Sequence, residues 1–323
     1  MSLLLTGATG FLGRNILLRA LAEGKEVLPA VRNADKFLQQ LRFEQKDPQQ
    51  IQLLSALPDR WPRISPRCAI LAGGVLFERN RSDYFCTNVD WTLATLRALP
   101  TECRTVVISS QSAGGPTPDG KAARSEADPD APITWYGESK LAMERVIRRE
   151  FPNRPIWILR PPMILGPRDA ATLALFRMAR GAVRIKPGLR TKSYSFIAVD
   201  DLVTAIFLAL ERDPCPQASY VASTQSMTDW RLIATAAAAC HARGVTVPIP
   251  HLAVRILSAL VDRIPTLRAK APSLTRDRAR EIWPDRWVVD GSQFARRTGW
   301  RASTSLSEAL QAAQSYYVRE GKL

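Results

Sequence analysis

The run Leu3-Leu4-Leu5-Thr6-Gly7-Ala8-Thr9-Gly10-Phe11-Leu12-Gly13 decides the fold. An apolar segment of strand length ends in glycines spaced G-x-x-G-x-x-G. A helical pattern over 11–23 follows, with Phe11, Leu12, Ile16, Leu17 and Ala20 at amphipathic spacing. Glycine reaches positive φ and carries no β-carbon to keep a pyrophosphate away from the backbone. The helix behind it aims free N–H groups and the positive end of its dipole at the phosphates. A glycine triplet alone is common. Its place between a strand and a helix makes it a dinucleotide site.

Outward from this turn, strand and helix alternate. Strands are expected at 26–32, 41–45, 69–74, 105–108 and 156–159, with helices at 82–99 and 136–150. The stretch 48–66 reads as irregular and 113–132 as a long Gly/Pro/Asp-rich loop. Continuous apolar strands in this alternation predict an α/β fold, a doubly wound parallel sheet of Rossmann type covered on both faces. After Arg160 the prolines cluster, and helices are expected at about 170–180, 200–212, 228–242, 252–264 and 305–318. We therefore divide the chain into a dinucleotide-binding domain, 1–165, to which 193–224 returns, and a smaller, mostly helical substrate-binding lobe, 166–192 and 225–323.

The composition, 46% hydrophobic and 23% charged over 323 residues, is that of a globular protein. Five scattered cysteines form no C-x-x-C pair, and two histidines, His241 and His251, do not complete a metal site with them. Reduced thiols and no structural metal are expected. With the first strand expected at residue 2 or 3, no signal peptide is expected, and no run approaches a bilayer span, so the expected location is cytoplasmic. The net charge of +15 suits anionic partners, yet no nucleic-acid motif accompanies it.

Three positions carry candidate chemistry. The second strand ends in Ala30-Val31-Arg32-Asn33, where an acidic residue would bond a ribose 2′-OH. A guanidinium there suits a 2′-phosphate and favours NADP over NAD. Tyr136 and Lys140 are four apart on an expected helix and share a face. An ammonium beside a phenol favours phenolate and lowers its pKa. Ser110, at a strand end 26 residues before Tyr136, offers a hydroxyl to hold a substrate oxygen beside that phenol.

These residues, with Leu71-Ala72-Gly73, Asn88-Val89, Ser109-Ser110, Tyr136-Gly137-Glu138-Ser139-Lys140, Arg160-Pro161-Pro162, Gly166-Pro167-Arg168 and Phe196-Ile197-Ala198-Val199-Asp200-Asp201, stand in order over about 2–225. The set resembles the extended short-chain dehydrogenase/reductase, or NAD-dependent epimerase/dehydratase, family. The resemblance implies Tyr136 as catalytic acid/base, Lys140 as its electrostatic partner and ribose anchor, and Ser110 orienting the substrate oxygen. It implies cofactor contacts from Gly7, Thr9, Gly10, Phe11, Leu12, Gly13, Ala72, Gly73, Asn88, Tyr136, Lys140 and Pro162, with Arg32 and Asp47 on the adenine side. Ser109, Ser110 and Ser112 compete for the serine role. The family's hydroxyl usually lies five residues before a glycine, so Gly115 selects Ser110 and Gly114 selects Ser109; the strand offset favours Ser110. Sugar-nucleotide members carry an asparagine where this chain has Arg160-Pro161-Pro162-Met163. That departure resembles the 3-beta-hydroxysteroid dehydrogenase and dihydroflavonol reductase-like members.

The leading expectation is thus an NAD(P)-dependent oxidoreductase interconverting a ketone and an alcohol on an apolar substrate such as a sterol or other lipid. The alternatives are a sugar-nucleotide epimerase or dehydratase with tightly held NAD, and a non-catalytic NADP-binding sensor. The stripe Leu252, Ile256, Leu257, Leu260, Val261 and Ile264 reads either as a helix face packed on the core, the favoured reading, or as a cationic amphipathic helix touching a membrane. Trp230, Trp283, Trp287 and Trp300 read as core or lid aromatics, or as pocket lining. By analogy with the family, the helices near 82–99 and 137–150 would pair in a homodimer.

Overall fold

In the computed structural model, which describes residues 2–47, 51–215, 217–264, 266–267 and 274–323, the chain's first half winds a parallel sheet. Its strands are β1 (Ser2–Thr6), β2 (Glu26–Val31), β3 (Leu54–Ser55), β4 (Cys68–Leu71), β5 (Arg104–Ile108) and β6 (Ile156–Arg160). They lie in the order β3-β2-β1-β4-β5-β6, and Ser219–Tyr220 adds a seventh strand beyond β6. Every neighbouring pair is parallel. Chain order reverses direction between β1 and β4, so loops after these two strands face each other at their carboxyl ends.

The apolar runs are continuous because both faces are buried. Leu3 and Leu5 of β1 join one core layer, with Ile16 and Leu17 of helix α1 (Phe11–Ala22) and Leu202 and Ile206 of helix Val199–Glu211. Leu4 points the other way, into a layer with Leu93, Leu96, Met143 and Ile147.

The expected strand at 41–45 is not formed. Helix α2 (Ala34–Phe43) occupies that stretch, with Asn33 as its cap accepting from the Lys36 N–H at 2.8 Å. Phe37 and Leu41, one turn apart, are its buried residues. The third strand is Leu54–Ser55, inside the stretch read as irregular, and it pairs with β2 only at Ala30 and Val31.

On the sheet's second face stand α3 (Arg81–Phe85), a π-turn at Cys86–Asp90, and α4 (Trp91–Ala98), which together occupy the expected 82–99 helix. The short helix α5 (Gln111–Gly114) opens the long loop. Helix α6 (Trp135–Glu150) follows, capped by Thr134, which accepts from the Gly137 N–H at 3.2 Å.

The C-terminal half has the five expected helices: α7 (Ala170–Ala179), α8 (Val199–Glu211), α9 (Asp229–Ala239), α10 (His251–Arg263) and a last helix, Leu306–Arg319. It also has strands that the sequence reading lacked. β7 (Met163–Leu165), β9 (Ser193–Ala198), Ser226–Thr228 and Arg286–Trp287 form one small sheet, and β8 (Val183–Pro187) pairs with Val245–Ile249 in another. Of residues 193–224, α8 packs against α1 and Ser219–Tyr220 joins the large sheet, whereas β9 belongs to the small one.

Candidate active site

The glycine turn has a distinct reason for each glycine. Gly7 adopts φ +73°, and a β-carbon there would lie 2.6 Å from the Ala72 carbonyl oxygen and 2.7 Å from the Gly73 nitrogen. The turn after β1 therefore passes directly over the end of β4. A β-carbon on Gly13 would lie 2.1 Å from the Gly7 carbonyl oxygen, so this glycine lets α1 close onto the turn. Gly10 is different: its nearest neighbour would be 3.2 Å away, and it is exposed. The Gly10 N–H donates to the Gly7 carbonyl at 2.8 Å, which closes the turn, and the Gly73 N–H donates to Thr6 Oγ1 at 3.1 Å. Thr9 and Phe11 are half-buried at the rim, and Leu12 is buried beneath it. The cradle fits a dinucleotide phosphate on the N-terminus of a twelve-residue helix.

Arg32 follows β2 directly and is exposed, with no ion pair among the described residues. Asp47 lies on the exposed loop after α2, seven residues before β3 begins. The strand expected just before Asp47 is not formed, and the residue that follows β3 is Ala56.

On the other side of the switch point, Asn88 is fully buried in the π-turn. Its Oδ1 accepts from the Val75 N–H at 2.9 Å and its Nδ2 donates to Ser139 Oγ at 2.9 Å, tying the loop after β4 to α6. A β-carbon on Gly74 would meet Asn88 Oδ1 at 3.0 Å and Lys140 Nζ at 3.1 Å. Gly74 therefore belongs with Asn88 and Lys140, and the sequence reading missed it. Pro162 is buried just beyond β6.

The three serines separate by what their hydroxyls touch. Ser109 donates to the buried carboxylate of Glu144, and Ser112 donates to Glu281 at 3.1 Å. Ser110 caps α5, its hydroxyl accepting from the Ser112 N–H at 3.1 Å, and it lies beside the Tyr136 phenol. Tyr136 and Lys140 share the buried face of α6. Burial pushes the Tyr136 phenol up to about 12, against the opposing pull of the Ser110 hydrogen bond and then of the Arg278 guanidinium. Lys140 donates to the Ile108 carbonyl at 2.9 Å, and burial brings its ammonium down to about 8, partly offset by Glu144. The Arg278 guanidinium thus faces the Tyr136 ring, while Lys140 is turned toward the strand end and Gly74.

Glu144 anchors this arrangement. Arg160 donates to both its oxygens, at 2.9 and 2.6 Å, and to Asp130 at 2.6 Å. The pairing holds the buried guanidinium firmly charged despite its desolvation. The end of β6, the end of β5 and the tyrosine helix are thereby fixed to one carboxylate.

Arg278 and Glu281 reach the site from the C-terminal lobe. Arg278 lies 5.2 Å from the Tyr136 ring centroid and 5.5 Å from that of Phe77, and pairs with Glu281 at 2.9 Å. Glu281 also accepts from Thr134 Oγ1 at 3.1 Å. Neither lies in a motif, and only the tertiary fold brings them to Tyr136. Of the four tryptophans, Trp287 and Trp300 are core, Trp283 packs on His251 at 5.1 Å, and Trp230 is partly exposed beneath Lys186. Among the described residues no group of three or more His, Cys, Asp or Glu is placed to hold a metal ion.

The family model described as NAD dependent epimerase/dehydratase matches residues 3–222. A dTDP-6-deoxy-L-talose 4-dehydrogenase (NAD(P)(+)) of Kitasatospora kifunensis is 29% identical over 70% of this chain and 75% of its own. A ceramide reductase of Caulobacter vibrioides is 25% identical over 90% of this chain and 87% of its own. Among solved structures, UDP-glucuronic acid 4-epimerase from Bacillus cereus, in complex with UDP-glucuronic acid and NAD, superposes with a TM-score of 0.76. It is 18% identical and covers 99% of this chain and all of that one, a likeness of fold.

Proposed function

The chain belongs to the NAD-dependent epimerase/dehydratase family and is an NAD(P)-dependent enzyme of the short-chain dehydrogenase/reductase class, and on that premise we propose that it interconverts a ketone and an alcohol on an apolar substrate, with NADP(H) preferred over NAD(H). The setting of Tyr136 carries this reading. Its ring lies 6.4 Å from that of Tyr84 and beneath Arg278, which also covers Phe77. Leu76 and Phe77, on one side of the site, and Met163, just past Pro162, leave 38–50% of their surface open. An apolar surround of this kind suits a hydrophobic substrate. The ceramide reductase match, which spans nine-tenths of this chain, supports the same class.

In this reading Gly7, Thr9, Gly10, Phe11, Leu12, Gly13, Ala72 and Gly73 hold the pyrophosphate side of the dinucleotide, which supplies or takes the hydride. Arg32 meets its 2′-phosphate. Lys140, with Asn88, Gly74 and Pro162 around it, holds the ribose and nicotinamide end. Ser110 Oγ positions the substrate oxygen, and Tyr136 Oη gives it a proton on reduction or takes one on oxidation. A phenol raised to about 12 stays protonated at neutral pH, ready to donate. The test is NADPH oxidation by the purified protein with ketosteroids, ketolipids and flavonoid ketones. Turnover is expected with at least one class, faster with NADPH than NADH; none with any of them overturns the proposal.

The likeness to the talose dehydrogenase favours a second reading, chemistry on a sugar nucleotide. An epimerase or dehydratase would keep NAD bound through a cycle without net turnover. Mass spectrometry of nucleotide released from the denatured protein separates the two: retained NAD supports the second reading.

A further inference from the structure

Two neighbouring elements of the C-terminal lobe have their polarity reversed. α10 buries Val254, Ser258 and Val261 and turns Leu252, Ile256, Leu257 and Leu260 outward, 42–65% exposed. A helix packed on a core places its largest apolar residues inward. The favoured sequence expectation for this stripe is thus overturned, because smaller residues make the contact. The strand pair β8 and Val245–Ile249 (β12 in chain order, after β10 at Ser219–Tyr220 and β11 at Ser226–Thr228) is reversed too. Its register sets Val183 opposite Val245 and Ile185 opposite Val247, all exposed, while Arg184 and Lys186 between them are buried. Arg184 donates to the Ala179 carbonyl at 2.8 Å and the Ala242 carbonyl at 2.9 Å, and Lys186 pairs with Asp229 at 2.9 Å. These fixed inner partners hold the strand in the register that leaves its apolar face outside. β12 runs into α10 through Pro250. The turn after β8 packs Gly188 on the His251 ring, which puts the exposed Leu189 at the junction of the two surfaces.

Cations surround this face. Arg180, Arg243, Arg255 and Arg263 are exposed, and none forms an ion pair among the described residues. Arg190 pairs with Asp285 at 3.2 Å, and Asp262 accepts from the Arg276 N–H at 2.9 Å. The stretch 251–270 holds four basic residues and one acidic, in a chain of net charge +15.

We infer that this apolar, arginine-rimmed face docks on a lipid surface bearing anionic headgroups. Thirteen residues of α10 span about 20 Å, too short to cross the hydrocarbon, so the helix lies in the interface plane. Leu252, Ile256 and Leu260 enter the headgroup boundary, and Arg255 and Arg263 meet the phosphates. The inference stands apart from the substrate reading, since it concerns a surface and not the chemistry at Tyr136.

The test is sedimentation of the full chain with phosphatidylglycerol and with phosphatidylcholine vesicles, at low and high salt. Wild type is expected to pellet with phosphatidylglycerol, more weakly with phosphatidylcholine, and less at high salt. Ile256→Glu with Leu260→Glu should lower the partition coefficient at least tenfold, and Arg255→Glu with Arg263→Glu should abolish the preference for the anionic vesicles. Both pairs are exposed, so urea midpoints near wild type certify the fold. Absence of wild-type binding overturns the inference, as does binding that neither pair weakens. A lipid-free dimer that Ile256→Glu with Leu260→Glu dissociates also overturns it, by giving the face to a second copy of this chain.

Discussion

Lys140 sits where burial opposes its charge, and replacing it by methionine should stabilise the protein while it removes a functional group. The ammonium falls from its ordinary 10.5 to about 8 because it is desolvated, with Glu144 restoring part of the loss. The folded value is depressed, so below about 8 the lysine is protonated in both states and the full cost of burying it is present. As the pH rises from 8 to 10.5 the folded lysine gives up its proton first, and the cost shrinks; above 10.5 it is gone. The gap is worth about 3 kcal/mol at pH 7, about 2 at pH 9 and under about 1 at pH 10. Methionine conserves much of the stem's packing but forfeits the hydrogen bond to the Ile108 carbonyl, about 1 kcal/mol. Lys140→Met should therefore gain about 2 kcal/mol at pH 7 and nothing at pH 10. Urea unfolding of both proteins at pH 7, 9 and 10 measures this, with NADPH turnover in parallel. A methionine variant less stable than wild type at pH 7, or a difference that does not change with pH, would refute the reasoning.

Gly13→Ala places a β-carbon 2.1 Å from the Gly7 carbonyl and should lose about 2 kcal/mol or more in a urea titration. Gly10→Ala meets only the Gly7 carbonyl oxygen, at 3.2 Å, and should cost less in the same titration than Gly13→Ala while NADPH affinity falls, read by fluorescence titration. Arg32→Ala should weaken NADPH binding about tenfold to a hundredfold, the worth of a charge-assisted hydrogen bond, and leave NADH nearly unchanged. Ser110→Ala and Tyr136→Phe should each lower kcat about 10²- to 10⁴-fold without altering the dissociation constant for NADPH; equal loss in both constants would mean that the site had collapsed.

The strand, glycine turn and helix at the start of the chain were legible because their signals are local. Leu3–Leu5, Gly7, Gly10 and Gly13 lie within eleven residues, and each feature needed there is a property of one residue type next to another. Tyr136 and Lys140 were legible for the same reason, one turn apart on one helix. The third strand was not, because it contributes only two residues to the sheet, and its burial comes from Ala30 and Leu54 meeting across a crossover. A signal for α2 was present all the same: the Asn33 cap followed by Phe37, Leu38 and Leu41.

The C-terminal lobe shows the deeper limit. Sequence patterning assumes that apolar side chains face inward, and β8 breaks that assumption. In Val183-Arg184-Ile185-Lys186-Pro187 the alternation is perfect and its sense is inverted, because Arg184 and Lys186 find carbonyls and Asp229 inside. The pattern fixes a strand but not which side faces the core; the distribution of partners decides that, and those partners come from α7, α9 and the loop before β12. Arg278 and Glu281 follow the same rule. They act on Tyr136 and Thr134 from more than a hundred residues away in sequence, with Asp277 beside them accepting the Trp135 N–H at 3.2 Å. Short-range motifs therefore write the glycine turn and the Tyr136–Lys140 helix face, while the C-terminal lobe is written in long-range pairings. A substituent that contacts Arg278 thus acts on the phenol's environment and on the packing of the lobe at the same time.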